Sequence, residues 1–250
     1  MSSDLTRIPW IAADDHDSPF PPADHALREP NGLLAIGGPL SRRRLEGAYR
    51  AGVFPWFAED QPVLWWSPDP RAVLYPDELR VSRSLRKRLR RGDYRVTLDT
   101  AFETVIDACA APRADASGTW ITPGMRRAYV AMHDDGLAHS VEVWQDGALI
   151  GGLYGVALGS AFFGESMFSR APDGSKIALA WLCAQLCAWG FTIIDCQLPT
   201  PHLERLGAVT VPRSRFLAEL RSALACPTRR GIWSLSPGLV PPGVREQAAG

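Results

Sequence analysis

SAFFGESMFSRAPDGSKIALAWLCAQLCAWGFTIIDCQ, residues 160–197, decides the fold of this 250-residue chain. Ser160 to Phe168 is apolar and aromatic and reads as a strand. Asp173-Gly174-Ser175 opens a helix signal over Lys176 to Trp189, with Ile177, Trp181, Leu182, Leu186 and Trp189 broadly on one side, and Gly190 stops it. Phe191 to Gln197 reads as the next strand. Upstream, His139 to Gln145 alternates, Asp146-Gly147 is a two-residue hairpin turn, and Ala148 to Leu158 is the return strand. Three strands, a helix and a strand follow one another, an α+β order. Gly151 and Gly152 inside the second strand predict a bulge or a close backbone approach by a ligand.

The same segment carries the first chemical signal. Glu165 stands near the end of one strand, and Asp195 and Gln197 stand on another. Strand side chains alternate, so Asp195 and Gln197 are expected on one face and Ile194 and Cys196 on the other. A packed sheet face disfavours an unpaired carboxylate, so the pair either lines a wet cleft or forms a buried Asp–Gln hydrogen-bond network. The residues alone leave both open. Alternation turns Cys196 away from the same face and speaks against a thiol nucleophile there.

Lys plus Arg and Asp plus Glu each number 27, so the chain has no global basic field, and contact with nucleic acid needs a local patch. Ser82 to Arg91 supplies one. Ser82 caps a helix signal, Leu85 and Leu89 form its apolar seam, and Gly92 ends it. Its other face carries Arg83, Arg86, Lys87, Arg88, Arg90 and Arg91 with no acidic residue at i,i+4. Charge this dense repels itself unless a polyanion neutralises it, which favours a phosphate-binding surface over a merely solvated face.

A hydrophobic content of 46% suffices for one large domain or two modest ones. MSSDLTRIPW lacks the pattern of a leader, and no run approaches 18 apolar residues, so a cytoplasmic chain with no membrane contact is expected. The five cysteines are odd in number and show no CxxC spacing; Cys183 and Cys187 stand four apart without a second pair, and the histidines form no ligand motif. Neither disulfides nor a metal are expected. Residues 1–80, rich in Pro, Gly and aromatics with one helix signal at Ser41 to Ala51, read as a small α+β domain. Residues 81–220, with a strand at Arg95 to Leu98 and helices at Thr100 to Ala110 and Pro123 to Asp134, read as the larger α+β domain, and 221–250 as a loosely held tail.

Phe54-Pro55-Trp56-Phe57, Trp65-Trp66-Ser67-Pro68-Asp69-Pro70-Arg71, Gly118-Thr119-Trp120-Ile121-Thr122, Gly164-Glu165-Ser166-Met167-Phe168-Ser169-Arg170 and Ile194-Asp195-Cys196-Gln197 together resemble the motif set of the bacterial leucyl/phenylalanyl-tRNA–protein transferase family. The resemblance runs from roughly Phe20 to Leu220, with the motifs in the same order. Each is weak alone, and the ordered set of five is specific. It implies an acetyltransferase-like (GNAT-like) larger domain. The implied reaction moves Leu or Phe, with Met a further candidate donor, from aminoacyl-tRNA to proteins with N-terminal Arg or Lys, and so creates a degradation signal. No metal or other cofactor is implied.

Residue by residue, the resemblance gives Asp195 and Gln197 the catalytic roles, with Gln197 nearest the reacting groups and Asp195 polarising it. Glu165 is expected to touch the acceptor's basic side chain or to order the site rather than to act as nucleophile, the alternative being a structural ion pair with Arg170. Leucine and phenylalanine share an unbranched β-carbon and a large apolar body, which calls for an adaptable cavity with Met167, Phe163, Phe168, Ile194, Leu182 and Leu186 as candidate walls. Tyr49, Trp56, Trp120 and Tyr129 correspond to aromatics that stack on the terminal adenine or frame the mouth. Arg83, Lys87 and Arg88 are the residues chosen for the tRNA body, and Ser175 and Lys176 for its last phosphate. Where the family places an Asn three residues after the Gln, this chain has Thr200, whose hydroxyl cannot reproduce a carboxamide's two-sided contact in the substrate loop.

Two competing readings differ in class. An acyl-CoA-dependent N-acetyltransferase needs an Arg/Gln-x-x-Gly-x-Gly/Ala turn before the main helix, where this chain has Arg170-Ala-Pro-Asp-Gly-Ser-Lys176 and Pro172 removes a donor. A non-enzymatic RNA-binding module leaves Glu165, Asp195 and Gln197 without a role.

Overall fold

The computed structural model describes residues 8–111 and 121–244. Among these, a small sheet holds β1 (Trp10–Ile11), β2 (Leu33–Gly37), β3 (Phe54–Pro55) and β4 (Leu64–Trp66) in the order β1-β2-β4-β3. A larger sheet holds β5 (Arg71–Leu74), β6 (Arg95–Leu98), β7 (Ala138–Gln145), β8 (Ala148–Leu158), β9 (Ala161–Ser169), β10 (Ile193–Gln197) and β11 (Val209–Val211) in the order β11-β5-β10-β9-β8-β7-β6. The helices are α1 (Arg42–Arg50), α2 (Arg83–Arg91), α3 (Phe102–Ala110), α4 (Pro123–Asp134), α5 (Gly174–Ala188), α6 (Pro201–Arg205) and α7 (Arg213–Leu224). The α+β class expected from residues 138–197 is the one adopted.

Local chemistry explains most boundaries. Ser41, Ser82 and Thr122 each accept the backbone N–H three residues on, opening α1, α2 and α4, and Gly92 closes α2 at φ 63. Asp146 and Gly147, at φ 51 and 77, make the tight turn of the β7–β8 hairpin. A Cβ on Gly151 would stand 2.4 Å from the Gly174 carbonyl carbon, so the close approach expected there is made by the first turn of α5 and not by a ligand. A bulge also lies beside it, since Val143 and Trp144 of β7 pair with Gly151 and Leu149 and leave Ile150 out.

Alternation along β8 feeds two cores. Tyr154 and Val156 pack with α1, α3, α4 and α7 on one face of the large sheet, and Leu153 and Ala157 pack with α2 and α5 on the other. The strand β5 pairs with both β10 and β11, so residues 71–74 belong to the larger sheet, although the sequence reading set them in the N-terminal module. Nor are residues 221–244 loosely held. Trp233 is 3% exposed, stacks on His139 at 3.6 Å between ring centroids, and donates its backbone N–H to Asp99 Oδ2 at 2.7 Å. An apolar anchor in a Pro- and Arg-rich stretch escapes a reading by composition.

Candidate active site

The site forms where two neighbouring strands part. β9 and β10 run parallel and pair over Ala161–Phe163 against Ile193–Asp195. Beyond that point each strand bulges against its other neighbour. In β9, Gly164 and Ser166 pair with consecutive residues of β8 and leave Glu165 out; in β10, Asp195 and Gln197 pair with consecutive residues of β5 and leave Cys196 out. Gln197 takes the left-handed conformation, at φ 58. A cleft of about 930 Å³ opens between the strand ends, lined on one side by Gly164 to Arg170 and on the other by Ile194 and Cys196 to Leu198. That volume suits a ligand the size of an aminoacyl-nucleoside.

Glu165 is the best-connected polar group of the cleft. Its Oε1 accepts from the Tyr49 hydroxyl at 2.8 Å and from Gln197 Nε2 at 3.4 Å, and its Oε2 accepts from the Tyr129 hydroxyl at 2.7 Å. Removal from water pushes its carboxyl up to about 7, against the pull of the two tyrosine hydrogen bonds. Both tyrosines are fully buried, which drives their phenols well above 10 and keeps them protonated. Tyr154, also fully buried, lines the cleft with a hydroxyl that has no hydrogen-bond partner among the described residues.

Asp195 sits behind this wall, not in it. At 1% exposure it receives Nε and Nη2 of Arg71 at 2.8 and 2.7 Å, and Arg71 itself is wholly buried between the rings of Phe54 and Phe216 at 4.8 and 4.6 Å. Asp195 Oδ1 also accepts the backbone N–H of Gln197 at 2.9 Å. The carboxylate therefore fixes the left-handed turn and aims the Gln197 side chain at Glu165. This departs from simple alternation, which predicts Asp195 and Gln197 side by side on one face. The bulge also brings Cys196 to the cleft wall, although burial raises its thiol pKa far from reactivity.

The cleft collects Glu165, Gln197, Met167, Phe168, Ile194, Leu182, Trp56 and Thr200. Phe163 and Leu186 are fully buried and do not line it. Phe163 packs beside Tyr49 at 4.9 Å, and its neighbour Phe162 is the phenylalanine that faces the cleft, because alternation is fixed by pairing before the bulge. Tyr49 and Tyr129 touch Glu165 from below and have no exposed ring face to stack on a base, whereas Trp56 is 45% exposed at the rim. Trp120 lies outside the described residues. The Thr200 hydroxyl caps α6 by accepting the Leu203 N–H at 3.2 Å.

On α2, Arg83 and Lys87 are exposed, and none of the helix lines the cleft. Arg88 is turned inward, paired with Asp93 and bonded to Gln145 at 3.1 Å. At the start of α5, the Ser175 N–H is taken by Ser169 Oγ at 2.8 Å and Lys176 pairs with Asp173 at 2.7 Å. The sequence reading missed Arg71, Phe162 and Tyr154. Arg71 was visible only as the last residue of a motif, with its partner 124 positions away.

Residues 38–69 match the family model described as leucyl/phenylalanyl-tRNA protein transferase N-terminal domain, and residues 73–221 match that described as leucyl/phenylalanyl-tRNA protein transferase. A leucyl/phenylalanyl-tRNA–protein transferase from Alkalilimnicola ehrlichii is 58% identical over 244 residues, spanning 97% of this chain and 95% of the relative. Another from Stutzerimonas stutzeri is 60% identical over 221 residues, spanning 88% and 97%. Among solved structures, a GCN5-related N-acetyltransferase from Kribbella flavida overlaps 66% of this chain and 58% of its own at 14% identity and a TM-score of 0.36. No helix among the described residues is long and apolar enough to cross a membrane. Full-length identity near 60%, together with both family models in sequence order, means that the chain belongs to the leucyl/phenylalanyl-tRNA–protein transferase family.

Proposed function

We propose that this chain transfers Leu or Phe from aminoacyl-tRNA to the α-amine of proteins that begin with Arg or Lys, acting in the cytoplasm and marking those proteins for degradation. The ester on the ribose oxygen is already activated. The amine nitrogen bonds to the acyl carbon, the bond to the ribose oxygen breaks, and the amine proton ends on that oxygen. What the protein must supply is alignment and a path for the proton.

The observation that carries this reading is the contact of Gln197 with Glu165 across the mouth of the cleft, with Gln197 held in a left-handed turn by Asp195. Glu165 attracts the acceptor's cationic side chain, and the Gln197 carboxamide orients the amine. Asp195 works at one remove as a positioning residue. Met167, Phe162 and Leu182 form the apolar wall for the Leu or Phe side chain, and Trp56 offers a ring to the terminal adenine. Arg83 and Lys87 hold tRNA phosphates. The unit up to residue 70 carries Trp56 to the rim and the remainder carries the cleft. Pyrophosphate of coenzyme A has a poorer seat, since Pro172 lacks a donor and the Ser175 N–H is already bonded.

The test is transfer of labelled leucine from leucyl-tRNA to a peptide beginning with Arg, without ATP. Product is expected with Arg and Lys peptides and not with N-acetylated ones. Acetyl transfer from coenzyme A with no leucyl transfer would overturn the proposal.

A further inference from the structure

Tyr49, Tyr129 and Glu165 form a closed triangle of oxygens. The two hydroxyls are 2.5 Å apart, and each lies within 2.8 Å of its own oxygen of the carboxyl group. Three contacts of this length need three hydrogens. The phenols, both too deeply buried to ionise, supply one each. With Glu165 ionised, one edge of the triangle has no hydrogen, and two oxygen lone pairs face each other. With Glu165 protonated, each oxygen-bearing group donates once and accepts once, and the ring closes.

The surroundings favour the same state. Arg71 on β5 is the nearby cation; its Nε and Nη2 are bonded to Asp195, and its pull on the Glu165 carboxyl is weaker than the push of burial. Among the described residues, the other groups that interact with Glu165 are Tyr49 of α1, Tyr129 of α4, Tyr154 of β8, and Asp195 and Gln197 of β10, and none of them is cationic. Asp195 and burial both raise the Glu165 carboxyl toward 7.

We propose that Glu165 waits in the empty cleft as a neutral acid and releases its proton to solvent when the acceptor's cationic side chain arrives, so that recognition exchanges one proton for one cation. This rests on the transfer reaction proposed above. It gives the cleft a selective device. A carboxylate that is neutral when unoccupied does not hold stray metal ions or ammonium, and it becomes an anion only for a ligand that brings a charge to its oxygen. The two tyrosines then each keep one hydrogen bond to the carboxylate, and the edge between them opens.

Carboxyl ¹³C NMR on the full chain tests this, with Nα-acetyl-argininamide as a probe that carries the guanidinium and has no amine to react. Glu165→Gln identifies the resonance by its loss, and its carboxamide can close the same ring, so the variant is expected to fold. The expected midpoint is near 7 in the free chain. Saturating probe is expected to lower it by at least one pH unit, a tenfold change. A free-chain midpoint below about 5, the ordinary glutamate range, overturns the proposal; so does a midpoint that saturating probe leaves unmoved. Leucyl transfer on the same preparation separates the two ideas. An active chain whose Glu165 titrates below 5 loses the proton exchange and keeps the reaction. An inactive chain whose midpoint lies near 7 and falls with the probe keeps the exchange and loses the reaction.

Discussion

Replacing Arg71 by Leu should unfold the chain more easily and also disarm it, and a second substitution should separate those effects. Arg71 and Asp195 are 0% and 1% exposed and share two charge-assisted hydrogen bonds at 2.8 and 2.7 Å. Removing the guanidinium leaves a buried carboxylate with the Gln197 N–H as its remaining partner in this structure. Breaking a buried pair from one side costs about 3–5 kcal/mol, whereas replacing both partners with apolar groups is often near neutral. Arg71→Leu is therefore expected to lose about 4 kcal/mol, and Arg71→Leu with Asp195→Leu to return to within about 1–2 kcal/mol of the parent. Leu at 71 keeps apolar contact with Phe54 and Phe216, which now flank the guanidinium. Urea unfolding at pH 7 reads the stability, with unchanged m confirming a common reference state. Leucyl transfer should stay depressed about 100-fold in the double variant, because nothing then holds Gln197 in its turn, and misplacement by about 1 Å is enough for such a loss. A double variant that regained both stability and full turnover would refute the positioning role of Asp195. An Arg71→Leu chain destabilised by less than about 1 kcal/mol would refute the buried-pair reasoning itself.

Glu165 gives the fold a pH dependence of unusual sign for a carboxylate. Its value near 7 in the folded chain, against 4.5 ordinarily, means the folded form keeps a proton that the unfolded form loses. The stabilisation is complete below about pH 4.5 and is lost as pH rises through 7, a decline of up to about 3 kcal/mol that thermal melts should show in the parent and not in Glu165→Gln; parallel profiles would contradict it. Trp233→Ala should cost about 3–5 kcal/mol and expose residues 226–244 to limited proteolysis, since it removes a buried ring stacked on His139. Reversing charge at Arg83 and Lys87 together should weaken aminoacyl-tRNA binding and lower the log–log salt slope by about 2, leaving turnover at saturation unchanged, whereas Arg88→Glu should chiefly lower stability, because its partner is Asp93. An unaltered slope in filter binding would place the phosphate contacts elsewhere.

Local signals carried most of the fold. Asp146-Gly147 fixed a hairpin, Thr122 and Pro123 opened α4, and the helix between two apolar strands appeared, although Asp173 makes no side-chain cap and the helix is buried on most sides rather than one. The site was legible as a set of residue types and not as a geometry, and the reason lies in β5. This four-residue strand between prolines pairs with β10 so that Val73 meets Asp195 and Ala72 meets Gln197, and Cys196 is skipped. A period of two survives only while partners advance together, and the partner that breaks it is over 100 residues away in sequence. The same strand carries Arg71 into the core, where an arginine after Asp-Pro otherwise reads as a surface residue. One non-local pairing thus moves Asp195 off the wall, turns Gln197 onto it, and supplies the guanidinium that pairs with Asp195. Glu165 is left with hydroxyl and amide partners, and burial in that company favours the neutral carboxyl until a cation reaches it.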